Sequence, residues 1–205
     1  MPERRLLLAT RAQHKVVELQ ALLDLPGVTL VAPDEVGIEG EPDEDAPTFE
    51  ANAELKARFY AERSGLPTLA DDSGLEVDAL DGRPGIYTRR YAGEDPTDVE
   101  NNTKLLGELD GVPAERRSAR YWCVLAYLDP ESGADPVFRA GTFEGRIAID
   151  PRGDGGFGYD PIFEPESEAP GARTVGQMSA AEKHALSHRG KAARAMADYL
   201  RGEGW

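Results

Sequence analysis

Residues 66–78 read LPTLADDSGLEVD, and in them two adjacent carboxylates, Asp71 and Asp72, follow an apolar run. The run is typical of a short strand over 67–70. Neighbouring carboxylates repel each other, and a solvated turn does not need an apolar run before it. Binding of a divalent cation would explain the pair, because Mg²⁺ binds one or two carboxylates together with substrate phosphates. An acidic surface turn is the alternative, and these residues alone leave both interpretations open.

The sequence on either side of this stretch alternates between strand and helix patterns. Residues 10–13, Thr-Arg-Ala-Gln, have the pattern of a capping box, and apolar residues follow at helical spacing at positions 16, 19, 22 and 23. The other predicted helices are 49–63, stopped by Gly65, then 97–109 and 187–200. The other predicted strands are 4–9, 28–31 and the long antiparallel pair 120–128 and 137–149. This order predicts the α/β class with a mixed sheet.

The formal net charge of -15 excludes several classes of partner. A field of that sign repels nucleic-acid polymers and anionic membranes, which bind basic surfaces. A small polyphosphate is compatible with it where cations gather locally and a metal ion helps. The single cysteine, Cys123, lies in an apolar run and is predicted to be a buried strand residue, which fits a reducing cytosol. The apolar run near the start is too short for a signal peptide or a membrane span.

Ordered blocks along nearly the whole chain resemble the inosine triphosphate pyrophosphatase family, which hydrolyses noncanonical purine nucleoside triphosphates. The blocks are Ala9-Thr10 with Lys15, 48–53 with Lys56-Ala57, 69–80, 84–87 with 90–93, 155–163, Glu182-Lys183 and 187–190. The resemblance implies an elongated mixed sheet flanked by helices, and two lobes with the active site in the cleft between them. It also implies one domain over residues 1–205, acting in the cytoplasm as a homodimer.

The junction between the first strand and helix is a candidate triphosphate site, formed by Thr10, Arg11, Ala12, Gln13, His14 and Lys15. Free backbone N–H groups at a helix N-terminus attract phosphate, and Lys15 adds a charge one turn in. A solvated surface lysine is the alternative. The family pattern is Thr-x-Asn-x-x-Lys, so Ala12 stands where an amide contact to phosphate is expected. The P-loop pattern is absent from the sequence.

Lys56 shares one face of the second predicted helix with apolar residues. At 100° per residue, Phe49, Ala53 and Tyr60 fall beside it, with Asn52 and Phe59 at the edge. The ammonium group either snorkels to water or reaches into a cleft. Family resemblance favours the second interpretation and places Lys56 and Asn52 at the substrate.

The acidic pair and the loop before the second helix form the candidate metal and catalytic site. Resemblance assigns the base and metal role to Asp72, a supporting role to Asp71 and a substrate contact to Ser73. It makes Glu44 the first choice for a second Mg²⁺ ligand and Glu41 the second choice. Phosphoryl chemistry needs such a metal to neutralise phosphate oxygens and a base to orient water. The catalytic set is therefore Asp72, Asp71, Lys15 and Lys56.

The glycine-rich segment 153–158 formally matches G-x-G-x-x-G. A dinucleotide site would need a helix to follow, whereas residues 159–163 read as extended. The loop is better suited to a base pocket with Phe157, Gly158, Tyr159 and Asp160. Ser187 is a good N-cap for the last helix, which puts two cations in its first turn. By resemblance Lys183, His188 and Arg189 read the base, and a donor-only arginine suits a 6-oxo group better than a 6-amino group.

The resemblance, together with these residues, implies an Mg²⁺-dependent hydrolase that converts ITP, dITP and XTP to the nucleoside monophosphate and pyrophosphate. The alternatives are a nucleotide pyrophosphatase of different base preference and a nucleotide-binding sensor without catalysis. The partners expected are a nucleoside triphosphate and a second copy of the chain, with no nucleic-acid polymer and no membrane. The stretch 84–91 has no acidic residue and contains Tyr and Arg, which fits an interface core; a rigid loop packed on its own subunit is the alternative.

Overall fold

The computed structural model describes residues 4–205 and confirms the α/β class with a mixed sheet. The α-helices in this range are α1 (Gln13–Leu23), α2 (Phe49–Ser64), α3 (Asp98–Glu108), α4 (Ala180–Leu186) and α5 (His188–Gly202). The strands are β1 (Arg4–Leu8), β2 (Val28–Val31), β3 (Thr68–Val77), β4 (Pro84–Gly85), β5 (Ser118–Leu128), β6 (Val137–Ile147) and β7 (Phe163–Pro165).

The strands follow the order β2-β1-β3-β5-β6-β7, and β4 pairs with β3 outside this path. β1 is parallel to both β2 and β3, with Leu7 opposite Val31 and Thr68. β4 is antiparallel to β3, and β7 is antiparallel to β6. β5 and β6 are neighbours joined by residues 129–136, a connection too short for a parallel crossover. The predicted long antiparallel pair is thus confirmed.

The chain divides into two compact units. The first unit contains the chain up to Asp72, Cys123–Gly141 and Arg189–Trp205; the second contains Ser73–Trp122 and Thr142–His188. Each has its own core. Leucines of β1 and α1 pack with Cys123 of β5 and the small residues of α5 in the first. In the second, α3 leucines pack with the rings of Tyr121, Phe143 and Phe163.

Helix α1 begins later than the capping-box pattern predicts. Its N-cap is Ala12, and no side chain caps it. The Thr10 hydroxyl instead accepts a hydrogen bond from the Ala12 backbone N–H at 3.2 Å. The cause is strand pairing, because the Ala9 N–H donates to the Leu69 carbonyl and keeps the chain extended beyond β1. The predicted cap at Thr10 is therefore wrong, whereas the buried helix face with Leu19 and Leu23 is confirmed.

Strand β3 continues straight through the acidic pair. The expected end of the strand at Ala70 is wrong, and so is the surface-turn alternative, since Asp71 and Asp72 are only 2% and 7% exposed. Further along the strand, Leu75 and Val77 are fully buried. A strand can carry two buried carboxylates only if cations compensate them, and the first unit supplies those cations.

Candidate active site

Lys56 is the centre of the first group of charges. Helix α2 is capped by the Thr48 hydroxyl at its start and by left-handed Gly65 at its end, and it buries the face that the sequence predicts. The Lys56 ammonium lies 2.9 Å from a carboxylate oxygen of Asp72 and 2.9 Å from one of Glu44. Because Lys56 is only 5% exposed, its charge is neutralised inside the protein. The snorkelling alternative does not hold.

Burial raises the pKa of both carboxylates, and the Lys56 ammonium lowers it. Burial is the largest influence on Asp72 and raises its pKa, although Lys56 opposes the shift. For Glu44, burial also acts upward, but Lys56 and Lys15 outweigh it and lower the pKa. Burial lowers the pKa of Lys56 less than its carboxylate partners raise it, so the ammonium stays charged. Asp72 is the better proton acceptor of the two carboxylates.

Asn52 and Arg11 fix the acidic loop that carries Glu44. The Asn52 amide oxygen accepts from the Ala46 N–H at 3.0 Å. The Arg11 guanidinium donates to Asp34, to the carbonyls of Ile38 and Gly40, and to the Tyr60 hydroxyl. Arg11 also pairs with Glu41 at 3.3 Å. The structure thus brings Glu44, the first-choice glutamate, to Asp72 and ties Glu41 to Arg11.

Asp71 forms a second group of charges in the first unit. One of its carboxylate oxygens pairs with Lys15 of α1. The other accepts from Arg189 Nε at 3.1 Å and from the Cys123 thiol at 3.2 Å. Burial, the largest influence, acts to raise the pKa of Asp71, but Arg189, Lys15 and Lys56 together hold it well below its ordinary value. Asp71 is therefore ionised at neutral pH and pairs with Lys15.

Glu18 belongs to this group, and sequence reasoning missed it. Arg189 Nη1 donates to the Glu18 carboxylate at 2.6 Å, and Glu18 is buried on the inward face of α1. The available signal was its spacing, three residues after Lys15, which places both side chains on one side of the helix. A glutamate at a buried helical position requires a cationic partner.

His14, in the first turn of α1, has a pKa below the ordinary histidine value. Burial is the main cause, and the nearby charges of Lys15 and Arg189 add to it. The imidazole is therefore neutral near pH 7.

In the second unit, Asp160 organises the glycine-rich loop. Its carboxylate accepts from the Phe157 N–H at 2.9 Å and from the Lys183 ammonium at 2.7 Å. The Lys183 ammonium lies 3.8 Å from the centre of the Phe157 ring. A side chain at Gly156 would collide with the Asp160 carboxylate, so the loop needs glycine there.

Residues 159–163, expected to be extended, form a single 3₁₀ turn at Asp160–Ile162 and then β7. The segment directly after the glycine-rich loop is this turn and β7 rather than an α-helix, so the dinucleotide fingerprint is excluded. Tyr159 is buried, and its hydroxyl donates to the Thr88 carbonyl at 2.9 Å. That contact anchors the turn that follows the glycine-rich loop.

Two residues of α3 hold Gly158, and no local pattern pointed to either. The Gly158 N–H donates to Asp98 at 2.6 Å, and its carbonyl accepts from Asn102 at 3.1 Å.

Two further predicted site residues also lie in the second unit. The His188 ring stacks on Tyr121 with ring centroids 4.8 Å apart. Ser73, at the start of the unit, is half-buried on β3.

Helix α4 was not predicted, and it carries Lys183. Its N-cap is Ser179, whose hydroxyl accepts from the Glu182 N–H in a complete capping box. Ser187 ends α4, and α5 starts at His188, so His188 and Arg189 do lie in the first turn of the last helix, as predicted.

Comparison with known proteins decides the family. Residues 6–199 match the model of the Ham1 family. The chain belongs to the Ham1 family. A dITP/XTP pyrophosphatase of Nitratidesulfovibrio vulgaris is 49% identical over 95% of this chain and 94% of its own length. A dITP/XTP pyrophosphatase of Shigella flexneri is 47% identical over 96% of this chain and 98% of its own length.

Solved structures agree with this assignment. A HAM1 protein from Coxiella burnetii superimposes with a TM-score of 0.87 at 40% identity, covering 97% of this chain and 99% of that one. A nucleoside-triphosphatase, dITP/XTP pyrophosphatase, from Mycobacterium abscessus gives a TM-score of 0.77 at 40% identity, covering 96% and 98%. The Ham1 likeness thus extends over the whole fold and confirms the family resemblance read from the sequence blocks.

The carboxylates of this Ham1 chain fit a hard divalent cation. Asp72 and Glu44 converge on one point, and both present oxygen atoms there to Lys56. Over residues 4–205 there is no cluster of three or more His, Cys, Asp or Glu side chains suited to a metal ion. Two carboxylates are nevertheless what Mg²⁺ commonly uses when substrate phosphates and water supply the remaining ligands. In the same range, no helix is long and apolar enough to cross a membrane.

Proposed function

We propose that this chain hydrolyses noncanonical purine nucleoside triphosphates, namely dITP, ITP and XTP, to the nucleoside monophosphate and pyrophosphate. The observation that carries the proposal is the Asp72–Lys56–Glu44 cluster, in a chain 49% identical to a dITP/XTP pyrophosphatase over 95% of its length. A buried base beside a buried ammonium suits attack of water on a phosphate.

Asp72 is the proposed general base. Its raised pKa makes it a stronger proton acceptor than an ordinary aspartate, and its carboxylate takes the proton of a water that attacks the α-phosphorus. Lys56 and Lys15 hold the phosphate oxygens, since both carry buried or half-buried positive charge next to carboxylates. Asn52 and Arg11 position the loop of Glu44, and the N-terminal N–H groups of α1 add phosphate donors.

We assign the metal site to Asp72 and Glu44 and the metal to Mg²⁺. When bound, the ion neutralises phosphate oxygens and stabilises the charge that develops on the leaving pyrophosphate. The lowered pKa of Glu44 keeps that ligand ionised at neutral pH.

Lys183, His188 and Arg189 are the proposed base readers, with Phe157, Gly158 and Asp160 shaping the pocket. A lysine ammonium has donors and no acceptor, so it can meet a 6-oxo group but not a 6-amino group. Asp160 fixes the ammonium in place. This arrangement supports ITP and XTP over ATP. Tyr159 anchors the turn through its hydroxyl. We assign Ser73, on β3, as a further substrate contact.

The test is a substrate panel with product analysis. With Mg²⁺, ITP should give IMP and pyrophosphate in one step, and ATP and pyrimidine triphosphates should react far more slowly. IDP with orthophosphate would place the attack on the γ-phosphorus and refute the mechanism. Preference for a modified pyrimidine would favour the first alternative, and tight binding without turnover would favour a sensor.

We also propose a cytoplasmic homodimer that uses residues 84–91. Tyr87 is 54% exposed there, and Arg90 lies 5.1 Å from its ring centre. A two-fold axis would bury the same patch on both copies. Sedimentation at micromolar concentration should show a dimer for the wild type and a monomer for Tyr87→Asp. A wild-type monomer of 22.2 kDa would contradict the dimer, whereas a dimer that survives Tyr87→Asp would contradict only this patch.

A further inference from the structure

We infer that Asp98 and Asn102, two residues of α3, are positioning residues for the glycine-rich loop and that selectivity for the base depends on them. They act through the backbone of Gly158, which follows Phe157 of the proposed base pocket. The inference deepens the proposed function and rests on it for the kinetic readout. Neither residue belongs to the proposed catalytic, metal-binding or base-reading sets.

The loop that carries Phe157 needs support from outside because it is rich in glycine. Four of the six residues at positions 153–158 are glycine. Two of them flank Phe157 and are left-handed, with φ of 77° at Gly156 and 62° at Gly158. Glycine loses more conformational freedom on folding than any other residue, so such a segment does not hold one conformation by itself. The position of the Phe157 ring therefore depends on the contacts of the loop with ordered elements.

Helix α3 supplies contacts to both main-chain polar groups of Gly158. The Gly158 N–H donates to the Asp98 carboxylate at 2.6 Å, and the Gly158 carbonyl accepts from the Asn102 amide at 3.1 Å. The two side chains are four residues apart and therefore lie on one face of the helix. One helix face thus fixes both the position and the direction of the chain directly after Phe157.

Helix α3 is itself held firmly within the second unit. Leu105 and Leu109 are fully buried in the core of that unit, and Thr97 and Glu100 form a complete capping box at the start of the helix. Asn102 is only 7% exposed, so its contact with the loop is shielded from competing water. A loop attached to such a helix is preorganised, which reduces the ordering cost of binding a ligand.

Gly158 lies next to the residues that we assign to the base. The N–H of the preceding Phe157 donates to Asp160 at 2.9 Å. Asp160 also accepts from the Lys183 ammonium, which lies 3.8 Å from the centre of the Phe157 ring. A shift of Gly158 would move Phe157 relative to Lys183. The proposed general base belongs to the first unit, so release of Gly158 should affect KM and selectivity more than kcat.

The kinetic experiment compares Asp98→Ala with Glu100→Ala on ITP and ATP. Both are exposed acidic residues in the first turn of α3, and each accepts from a backbone N–H. Glu100 accepts from Thr97 in the cap of its own helix, so only Asp98→Ala releases Gly158. Both changes remove the same charge from the same helix end. Asp98→Ala should raise KM for ITP and lower the ITP-to-ATP ratio of kcat/KM by roughly 10-fold, as for loss of a charged hydrogen bond.

Two further variants separate positioning from general stability. Asn102→Leu keeps the approximate size of the side chain, removes the donor and should lower the same ratio. Asp98→Asn keeps an acceptor oxygen for the Gly158 N–H and should restore most of the ratio. Thermal unfolding identifies a variant that fails to fold, and the exposed Asp98 series then decides alone. An ITP-to-ATP ratio that is unchanged in Asp98→Ala, or that falls equally in Glu100→Ala, would overturn the inference.

Amide hydrogen exchange separates this inference from the proposed function, because it needs no turnover. The N–H groups of Gly158 and Phe157 should exchange about 10-fold faster or more in Asp98→Ala than in the wild type, and neither should change in Glu100→Ala. If the wild type hydrolysed no nucleoside triphosphate, the proposed function would fail, and exchange would still decide whether α3 holds the loop. Identical exchange at Phe157 in both variants would refute positioning through Gly158.

Discussion

The two units carry polar sites of opposite character. In the first unit, buried ions are linked to one another: Asp71 pairs with Lys15 and Arg189, and Lys56 pairs with both Asp72 and Glu44. In the second, Lys183 pairs with Asp160 beside the Phe157 ring, and Glu164 pairs with Arg146 and Arg152. The first arrangement suits proton transfer and phosphate binding, and the environment of Lys183 suits recognition of a neutral base. The comparison supports the proposal that chemistry and base selectivity depend on different groups of buried charges.

The acidic pair shows the same division on a smaller scale. Successive residues of a strand point to opposite faces, so adjacent Asp71 and Asp72 meet different partners. The pKa of Asp71 is well below its ordinary value, and that of Asp72 is above it. Two carboxylates whose environments push their pKa values apart are suited to different roles, here the anchor and the base that we propose.

The largest effect should come from Asp72→Asn, which keeps the shape and removes the base. We expect kcat for ITP to fall by roughly 10²–10⁴, as loss of a general base typically does. Asp135→Asn, an exposed change in the same unit, is the control. Near-normal turnover of the Asp72 variant would remove the distinction between a chemical unit and a recognition unit.

Asp71→Asn should mainly lower stability, by about 3–5 kcal/mol at neutral pH, because it breaks a buried charge network. The folded-state pKa of Asp71 is depressed, so its contribution is complete above the unfolded aspartate value of about 3.9. It is lost as the pH falls through the lower folded-state pKa. Urea unfolding at pH 7, 5 and 3 should show the difference from wild type shrinking only at pH 3. A difference that grows with acidification would contradict a depressed folded-state pKa for Asp71.

Lys183→Met tests the second unit. Loss of a charged hydrogen bond of about 1.5–3 kcal/mol should lower the ITP-to-ATP ratio of kcat/KM by roughly 10–100-fold while kcat with ATP stays unchanged. Lys104→Met is the matched control, since Lys104 also lies over a ring, that of Tyr91, at 4.4 Å. An equal fall of kcat for every nucleotide would mean that the second unit takes part in the chemistry.

Ala12→Asn should give the smallest effect. Asparagine is a preferred N-cap, and α1 has no side-chain cap, so stability should rise by about 0.5–2 kcal/mol. Triphosphate binding should tighten by about 0.5–1.5 kcal/mol if one further hydrogen bond forms. Thermal unfolding and calorimetry with a nonhydrolysable ITP analogue measure the two separately. Added stability without tighter binding would show that this chain already replaces the missing amide by another route.

The elements with a strong local signal were predictable from the sequence. The apolar face of α2 located Lys56 beside the core, and the glycines and aromatic residues of 153–163 located the loop for which we propose a base-binding role. The path of β3 through its carboxylates was not predictable, because the compensating charges are distant in the chain. Arg189, which holds Asp71, is 118 residues away. Asn102 was missed for the same reason, since only its contact with Gly158 explains it, whereas the spacing of Glu18 from Lys15 was a signal that went unused.

The hydrogen bonds of Arg11 have a consequence for how this protein tolerates sequence change. Two of its donors contact backbone carbonyls, those of Ile38 and Gly40, and such acceptors are present whatever the side chain. The segment between Ile38 and Glu44 is therefore held by its main chain more than by its side chains. Substitutions at its exposed acidic positions should leave Glu44 in place. Arg11→Lys should make the whole segment mobile, because lysine has no forked guanidinium to contact both carbonyls.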